Sequence, residues 1–149
     1  MRESRAAVVY NPVKIRLDRV RRAVQEQELA NGWGESRWYE TSREDSGTRA
    51  AREALAAEPT VLIVAGGDGT IRAVAEAIYE TTTPVSLLPT GTGNLLARNL
   101  HLPLNDIDGA VTAAFGLVAR ARITVHPGAL RVRIGRLRHS GQGPSVREV

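Results

Sequence analysis

The sequence predicts an α/β fold, a parallel sheet with helices on both faces. Two observations carry this. Short, almost uninterrupted apolar runs alternate along the chain with segments of helical period, and strands apolar on both sides belong to sheets whose crossovers lay a helix over each face. The length, 149 residues, suits about one domain with a core of its own.

The elements follow in order. "AAVVY" at 6–10 reads as the first strand, and Leu17, Val20 and Val24 then mark one face of a first helix. "RWYE" at 37–40 is a second strand and the alanine-rich "TRAAREALAA" a second helix. "TVLIVA" at 60–65 is a third strand, after which Ile71, Val74, Ala75 and Ile78 fall at i, i+3, i+4 and i+7, the spacing of a helix with one buried face. "VSLLP" at 85–89 is a fourth strand, which Pro89 closes because it has no N–H to offer a further rung. Leu95 to Leu100 form a short fourth helix, and Ile107, Ala110, Val111, Ala114 and Val118 define a fifth. Trp38 and Tyr39 are expected to pack, Trp33 to anchor a loop, and "TSREDSG" to lead into the second helix with capping residues.

Near residue 120 the pattern changes. "ARITV" is a strand, "HPG" a turn, and "ALRVRI" alternates Leu130, Val132 and Ile134 with Arg131 and Arg133, the period of two that marks a half-buried antiparallel strand. "GRLRHSGQGPS" reads as a long turn and "VREV" as a new strand. The chain therefore divides into an α/β domain at 1–119 and, at 120–149, the beginning of a second, β-rich domain that is incomplete. Its uncovered apolar face is expected to favour either self-association, as a homo-oligomer, or local disorder after about residue 120.

Composition excludes several classes. There is no cysteine, so there are no disulfides and no thiolate metal sites. His101, His126 and His139 stand alone, without a second ligand at helical spacing. No apolar run reaches the length of a spanning helix, and the expected location is cytoplasmic. The net charge of +4 is a property of the tail: residues 1–118 carry 13 basic and 15 acidic side chains, whereas 119–149 carry seven arginines and one acid. No aromatic residues interleave those arginines as a base-stacking surface requires, so no nucleic acid is expected as a partner.

Two glycine-bearing turns carry the chemistry. In "AGGDGTIR", Gly66, Gly67 and Gly69 lie where a strand becomes a helix; without side chains they let backbone N–H groups approach a ligand, and the helix N-terminus favours phosphate. The alternative is a tight turn that needs glycine for its own angles. A carboxylate at Asp68 repels phosphate unless it works with a Mg²⁺ ion or accepts a proton from an attacking hydroxyl; otherwise it is a helix cap. "PTGTGNLLAR" repeats the device one strand later, with Gly91, Gly93 and the polar groups of Thr90, Thr92 and Asn94. Neither turn is a Walker loop, since no lysine follows the glycines, and both lack the third glycine of a dinucleotide fingerprint.

"VVYNP", "AGGDGTI" and "PTGTGNLLARNL", in that order, resemble the diacylglycerol kinase catalytic domain family, bacterial lipid kinases related to sphingosine and ceramide kinases and more distantly to NAD kinases. The resemblance covers residues 6 to about 125. It implies a Rossmann-like nucleotide-binding domain followed by a β-sandwich domain, ATP and Mg²⁺ as cofactors, and a lipid hydroxyl such as that of diacylglycerol as acceptor at the inner membrane surface. Carried over residue by residue, the ATP contacts fall on Asn11, Thr41, Gly66, Gly67, Asp68, Gly69, Thr70, Ile71 and Arg72, and on Gly91, Thr92, Gly93 and Asn94. Asp68 becomes the catalytic candidate. The family's main catalytic acid and its metal ligands come from the second domain, so no metal ligand is assigned here, and this chain is expected to bind nucleotide yet be inactive alone. One departure stands out: the family commonly places an acid where Thr124 follows Ile123. A nucleotide-sensing module that transfers nothing, and a kinase for a soluble hydroxyl such as NAD, are the rival readings.

Overall fold

A computed structural model describes residues 2–13, 15–78, 81–90, 93–99, 101–102, 104, 106–116, 120–126 and 129–135, with side chains up to 116. The order is β1 (Ala6–Tyr10), α1 (Leu17–Asn31), β2 (Arg37–Glu40), α2 (Thr48–Ala56), β3 (Val61–Gly66), α3 (Asp68–Ala77), β4 (Val85–Pro89), α4 (Leu95–Asn99), α5 (Ile107–Phe115), β5 (Arg120–His126) and β6 (Ala129–Gly135). The strands lie in the order β2-β1-β3-β4-β5-β6. The first four are parallel, as the alternating pattern predicts. β5 then joins β4 antiparallel at Val85 and Ala121, and β6 pairs antiparallel with β5 along its length. The expected strand "ARITV" and the alternating "ALRVRI" thus form a hairpin hydrogen-bonded to the edge of the same sheet. The side chains of Leu130, Val132 and Ile134 lie outside the described residues, as do "GRLRHSGQGPS", "VREV", Leu100 and Val118.

Successive strand residues point to opposite faces, and the sequence fills both. Ala7, Val9, Leu62, Val64, Val85 and Leu87 pack with Ala50, Ala51 and Ala54 of α2 and Ile71, Val74, Ala75 and Ile78 around α3. On the other face, Ala6, Val8, Tyr10, Val61, Ile63, Ala65 and Leu88 pack with Val20, Ala23 and Val24 of α1 and Val111, Ala114 and Phe115 of α5. Every residue of β1 and β3 is buried, which explains why those runs are apolar without alternation. Alanine at 50, 51 and 54 lets α2 approach the sheet closely, because a larger side chain there has no room in a core of this density.

The helix ends have separate causes. α1 stops at Gly32, whose φ of +65° is the left-handed conformation and whose N–H bonds Glu28 O, a conformation glycine adopts without Cβ strain. α2 is capped from two residues upstream of its Gly47 boundary: Asp45 Oδ1 accepts from the N–H groups of Gly47 (3.2 Å) and Arg49 (3.0 Å), and Oδ2 from Ala50 (3.2 Å). Gly47 itself has φ +143°, and a Cβ there would lie 2.9 Å from Val74 Cγ2 on α3, so only glycine lets this turn press against that helix. The capping role expected for "TSREDSG" therefore belongs to Asp45.

Burial raises the Asp45 carboxyl pKa, but the N–H groups of Arg49, Ala50, Gly47 and Thr48 outweigh it and hold the group below its ordinary value. A lowered folded pKa gives stability that is present above the unfolded carboxylate value of about 4 and is lost as pH falls through the folded one. Replacing Asp45 with Ala should cost about 1 kcal/mol at neutral pH, the usual worth of a lost cap. In urea titrations the difference between wild type and variant should shrink below about pH 4.

Candidate functional site

Strand order 2-1-3-4 places the reversal of direction between β1 and β3, and such switch points open a crevice beyond the strands' carboxyl ends. Here the crevice is tied into shape by the backbone. Asn11 N–H bonds Ala65 O (3.0 Å), Thr41 N–H bonds Tyr10 O (2.9 Å) and Thr90 N–H bonds Gly66 O (3.1 Å), so the loops after all four parallel strands leave the sheet side by side. Between the first three lies a cleft of about 540 Å³ lined by Asn11, Thr41, Gly67, Gly69 and Thr70 among others.

Each wall has a local reason. Asn11 Oδ1 accepts from Val13 N–H at 3.0 Å, turning the chain sharply at the end of β1. Thr41 and Thr70 are buried polar residues on the cleft's wall. Gly66 is packed against its own helix: a Cβ there would meet Thr70 Cβ at 2.7 Å. Gly69 differs, since a Cβ built on it has no neighbour within 4 Å and would project into unfilled space. The first helical bond of α3 runs from Ile71 N–H to Gly67 O (3.0 Å), so the N–H groups of Asp68, Gly69 and Thr70 precede the hydrogen-bond ladder. They carry the partial positive charge of a helix start.

Asp68 is not a cap. The boundary residue of α3 is Gly67, with no side-chain cap hydrogen bond, and Asp68 stands exposed on the first turn. The loop after β4 comes up to it: a Cβ on Gly93 would lie 3.0 Å from Asp68 Oδ2. Arg98 Nε donates to Gly93 O at 2.7 Å, and Asn94, buried with φ +48°, forms the bend before α4. Thr90 Oγ1 is buried without a hydrogen-bond partner. Gly91 and Thr92, expected to touch the ligand, lie outside the described residues, as does the side chain of Thr124.

Two expected contacts point elsewhere. The Ile71 side chain is in the core, and Arg72 Nε pairs with Glu76 one turn on, at 3.3 Å along the outer face of α3. Conversely, Pro12, Val13, Glu40, Ser42, Arg43 and Ser46 line the cleft and escaped the sequence reading. Their signal was positional: they lie at or just beyond the carboxyl ends of β1 and β2, where a doubly wound sheet presents its ligand.

Fold and site together define a doubly wound α/β domain with a glycine-lined crevice at its switch point. The chain belongs to the diacylglycerol kinase catalytic domain family, whose model matches residues 5–125. It is 39% identical over 106 residues to a Pseudomonas fluorescens protein named "Probable lipid kinase YegS-like", covering 70% of this chain and 35% of that one. To a Bacillus subtilis diacylglycerol kinase it is 33% identical over 119 residues, covering 78% of this chain and 39% of the relative. A crystal structure of a diacylglycerol kinase from Bacillus anthracis shares the fold, with TM-score 0.60, 21% identity, and coverage of 83% of this chain and 45% of that one. The chain thus spans a little over a third of the length of these two curated relatives.

Proposed function

We propose that this domain binds ATP in the cleft beyond β1, β2 and β3 and forms the nucleotide half of a kinase that moves the γ-phosphate to a lipid hydroxyl such as that of diacylglycerol. One observation carries the reading: three strand-end loops converge on a cleft of about 540 Å³ whose floor includes Gly69, with open space where a side chain would be. Backbone N–H groups at a helix start suit the outer phosphates of a nucleotide, and the family match favours a lipid acceptor over a soluble one such as NAD.

Mg²⁺ prefers oxygen ligands and keeps several waters, so one carboxylate plus the phosphates of a nucleotide is a usual setting. Exposed Asp68, beside the glycine turn and close to Gly93, fits that setting; among the described residues no three His, Cys, Asp or Glu gather into a cage of their own. When bound there, the ion would neutralise charge on the phosphates. Asp68 would hold the ion or accept the acceptor's proton, while the N–H groups of Gly67 to Thr70 would orient the phosphate chain.

The hairpin β5–β6 is read as the start of a second, β-rich domain that completes the acceptor side of the cleft. The lipid would be met at a membrane surface; no helix among the described residues is long and apolar enough to cross one. Phosphoryl transfer is mainly positioning and charge stabilisation, so residues 1–149 alone should bind MgATP yet fail to phosphorylate diacylglycerol in mixed micelles. Calorimetry tests the first half and radiolabelled ATP the second. A flat MgATP titration would refute the nucleotide assignment, and turnover by this chain alone would refute its dependence on a further domain.

A further inference from the structure

The cleft has two chemically different ends. At β3 it is bounded by Gly67, Gly69 and Thr70; at β2 its wall includes Glu40, the last residue of that strand. β1 lies between them, so the ends are two strand spacings apart, about 10 Å. That is a span a triphosphate chain bridges to reach the sugar. A carboxylate repels phosphate but accepts strongly from hydroxyls. A carboxylate, Asp68, stands at the glycine end too, and Arg43 lines the β2 end, but only the glycine turn offers backbone N–H groups at a helix start, so the phosphates belong there and the nucleoside at the Glu40 end.

Glu40 has a buried neighbour. Tyr10, buried at the end of β1, donates its hydroxyl to Glu40 Oε2 at 3.5 Å. The phenol is fixed in turn, edge-on to Trp38 with ring centroids 5.9 Å apart, and Arg21 lies 4.4 Å over the Trp38 ring. Burial first, and then the Glu40 charge, raise the Tyr10 pKa above its ordinary value against the opposing pull of Arg21, so the hydroxyl keeps its proton at neutral pH. Glu40 makes no ion pair among the described residues. One bond to Tyr10 leaves the second oxygen and further lone pairs for a ligand.

We propose that Glu40 is the specificity residue for the nucleoside, its carboxylate accepting hydrogen bonds from the ribose 2′- and 3′-hydroxyls. Doubly wound sheets use an acid at a strand's carboxyl end in this way. The proposal rests on the reading of the cleft as a nucleotide site, with Tyr10 as the positioning residue behind Glu40.

The test is calorimetry with ATP, 2′,3′-dideoxy-ATP and tripolyphosphate on wild type, Glu40→Ala and Tyr10→Phe, with circular dichroism confirming the fold. Wild type should prefer ATP to the dideoxy analogue by about ten-fold, as expected for charge-assisted bonds partly offset by desolvation. Glu40→Ala should bring the two affinities together and leave tripolyphosphate binding unchanged or stronger. Tyr10→Phe should narrow the preference without removing it. If Glu40→Ala keeps the wild-type ratio, or wild type shows no ribose preference, the assignment of Glu40 is overturned while the nucleotide site stands. If wild type binds tripolyphosphate but ATP no better than other polyanions, the nucleotide reading itself fails and Glu40 with it.

Discussion

Replacing Gly69 with Val should abolish measurable ATP binding while leaving the fold in place. The expected loss is about 100-fold or more, the worth of one or two charge-assisted hydrogen bonds to phosphate. Gly69 is the right position because a Cβ there meets no protein atom within 4 Å and its φ lies outside the left-handed region; the branched side chain occupies the cleft and little else. The neighbouring glycines would give a less readable answer. At Gly66 a side chain collides with Thr70 at 2.7 Å, and at Gly93 it crowds Asp68 Oδ2 at 3.0 Å, so either variant disturbs the site's own structure. Unchanged ATP affinity in a folded Gly69→Val protein would mean that phosphates do not sit on this turn.

Asp68→Asn should act on turnover rather than on binding. In whatever length of chain proves competent to phosphorylate diacylglycerol, the rate should fall by about two orders of magnitude or more, the usual scale for losing a proton acceptor or metal partner. ATP affinity should hold or improve as repulsion is relieved. The structure sharpens this expectation, because Asp68 has no capping bond to lose and lies exposed on the first turn of α3. Stability should therefore barely change, and any fall in rate belongs to chemistry. A near-normal rate would leave Asp68 as a surface carboxylate.

The strands were the most readable part of the sequence. β1 and β4 begin and end where the apolar runs do, because a central parallel strand is buried on both faces and its limits coincide with its hydrophobicity; β2 matches the expected 37–40 although it lies at the sheet's edge with Arg37 and Glu40 exposed. Helix ends were harder, as with α2, whose cap is Asp45 two residues before Gly47. The cleft was half legible. Glycines announce a close backbone approach, so Gly67 and Gly69 were found. Glu40 and Val13 carry no such mark, since their role comes from strand order, which local sequence does not encode. Ile71 and Arg72 show the reverse limit: a motif names consecutive residues, but a helix turns them by about 100° each, so one enters the core and the next faces its partner Glu76. The attachment of the 120–135 hairpin to β4 is likewise a pairing between distant segments.

The contact of Gly47 with Val74 bears on the thermodynamics of recognition. The turn that carries Ser42 to Ser46 and the helix that carries Gly69 and Thr70 touch where only a hydrogen atom fits, and Asp45 fastens that turn to the next helix. Two walls of the cleft are therefore packed directly against each other. A ligand entering between them has little loop motion to freeze, so its ordering cost falls mainly on its own rotatable bonds. Lengthening the turn or adding a methyl at position 47 would return that freedom to the protein, weakening association even with every contacting group still present.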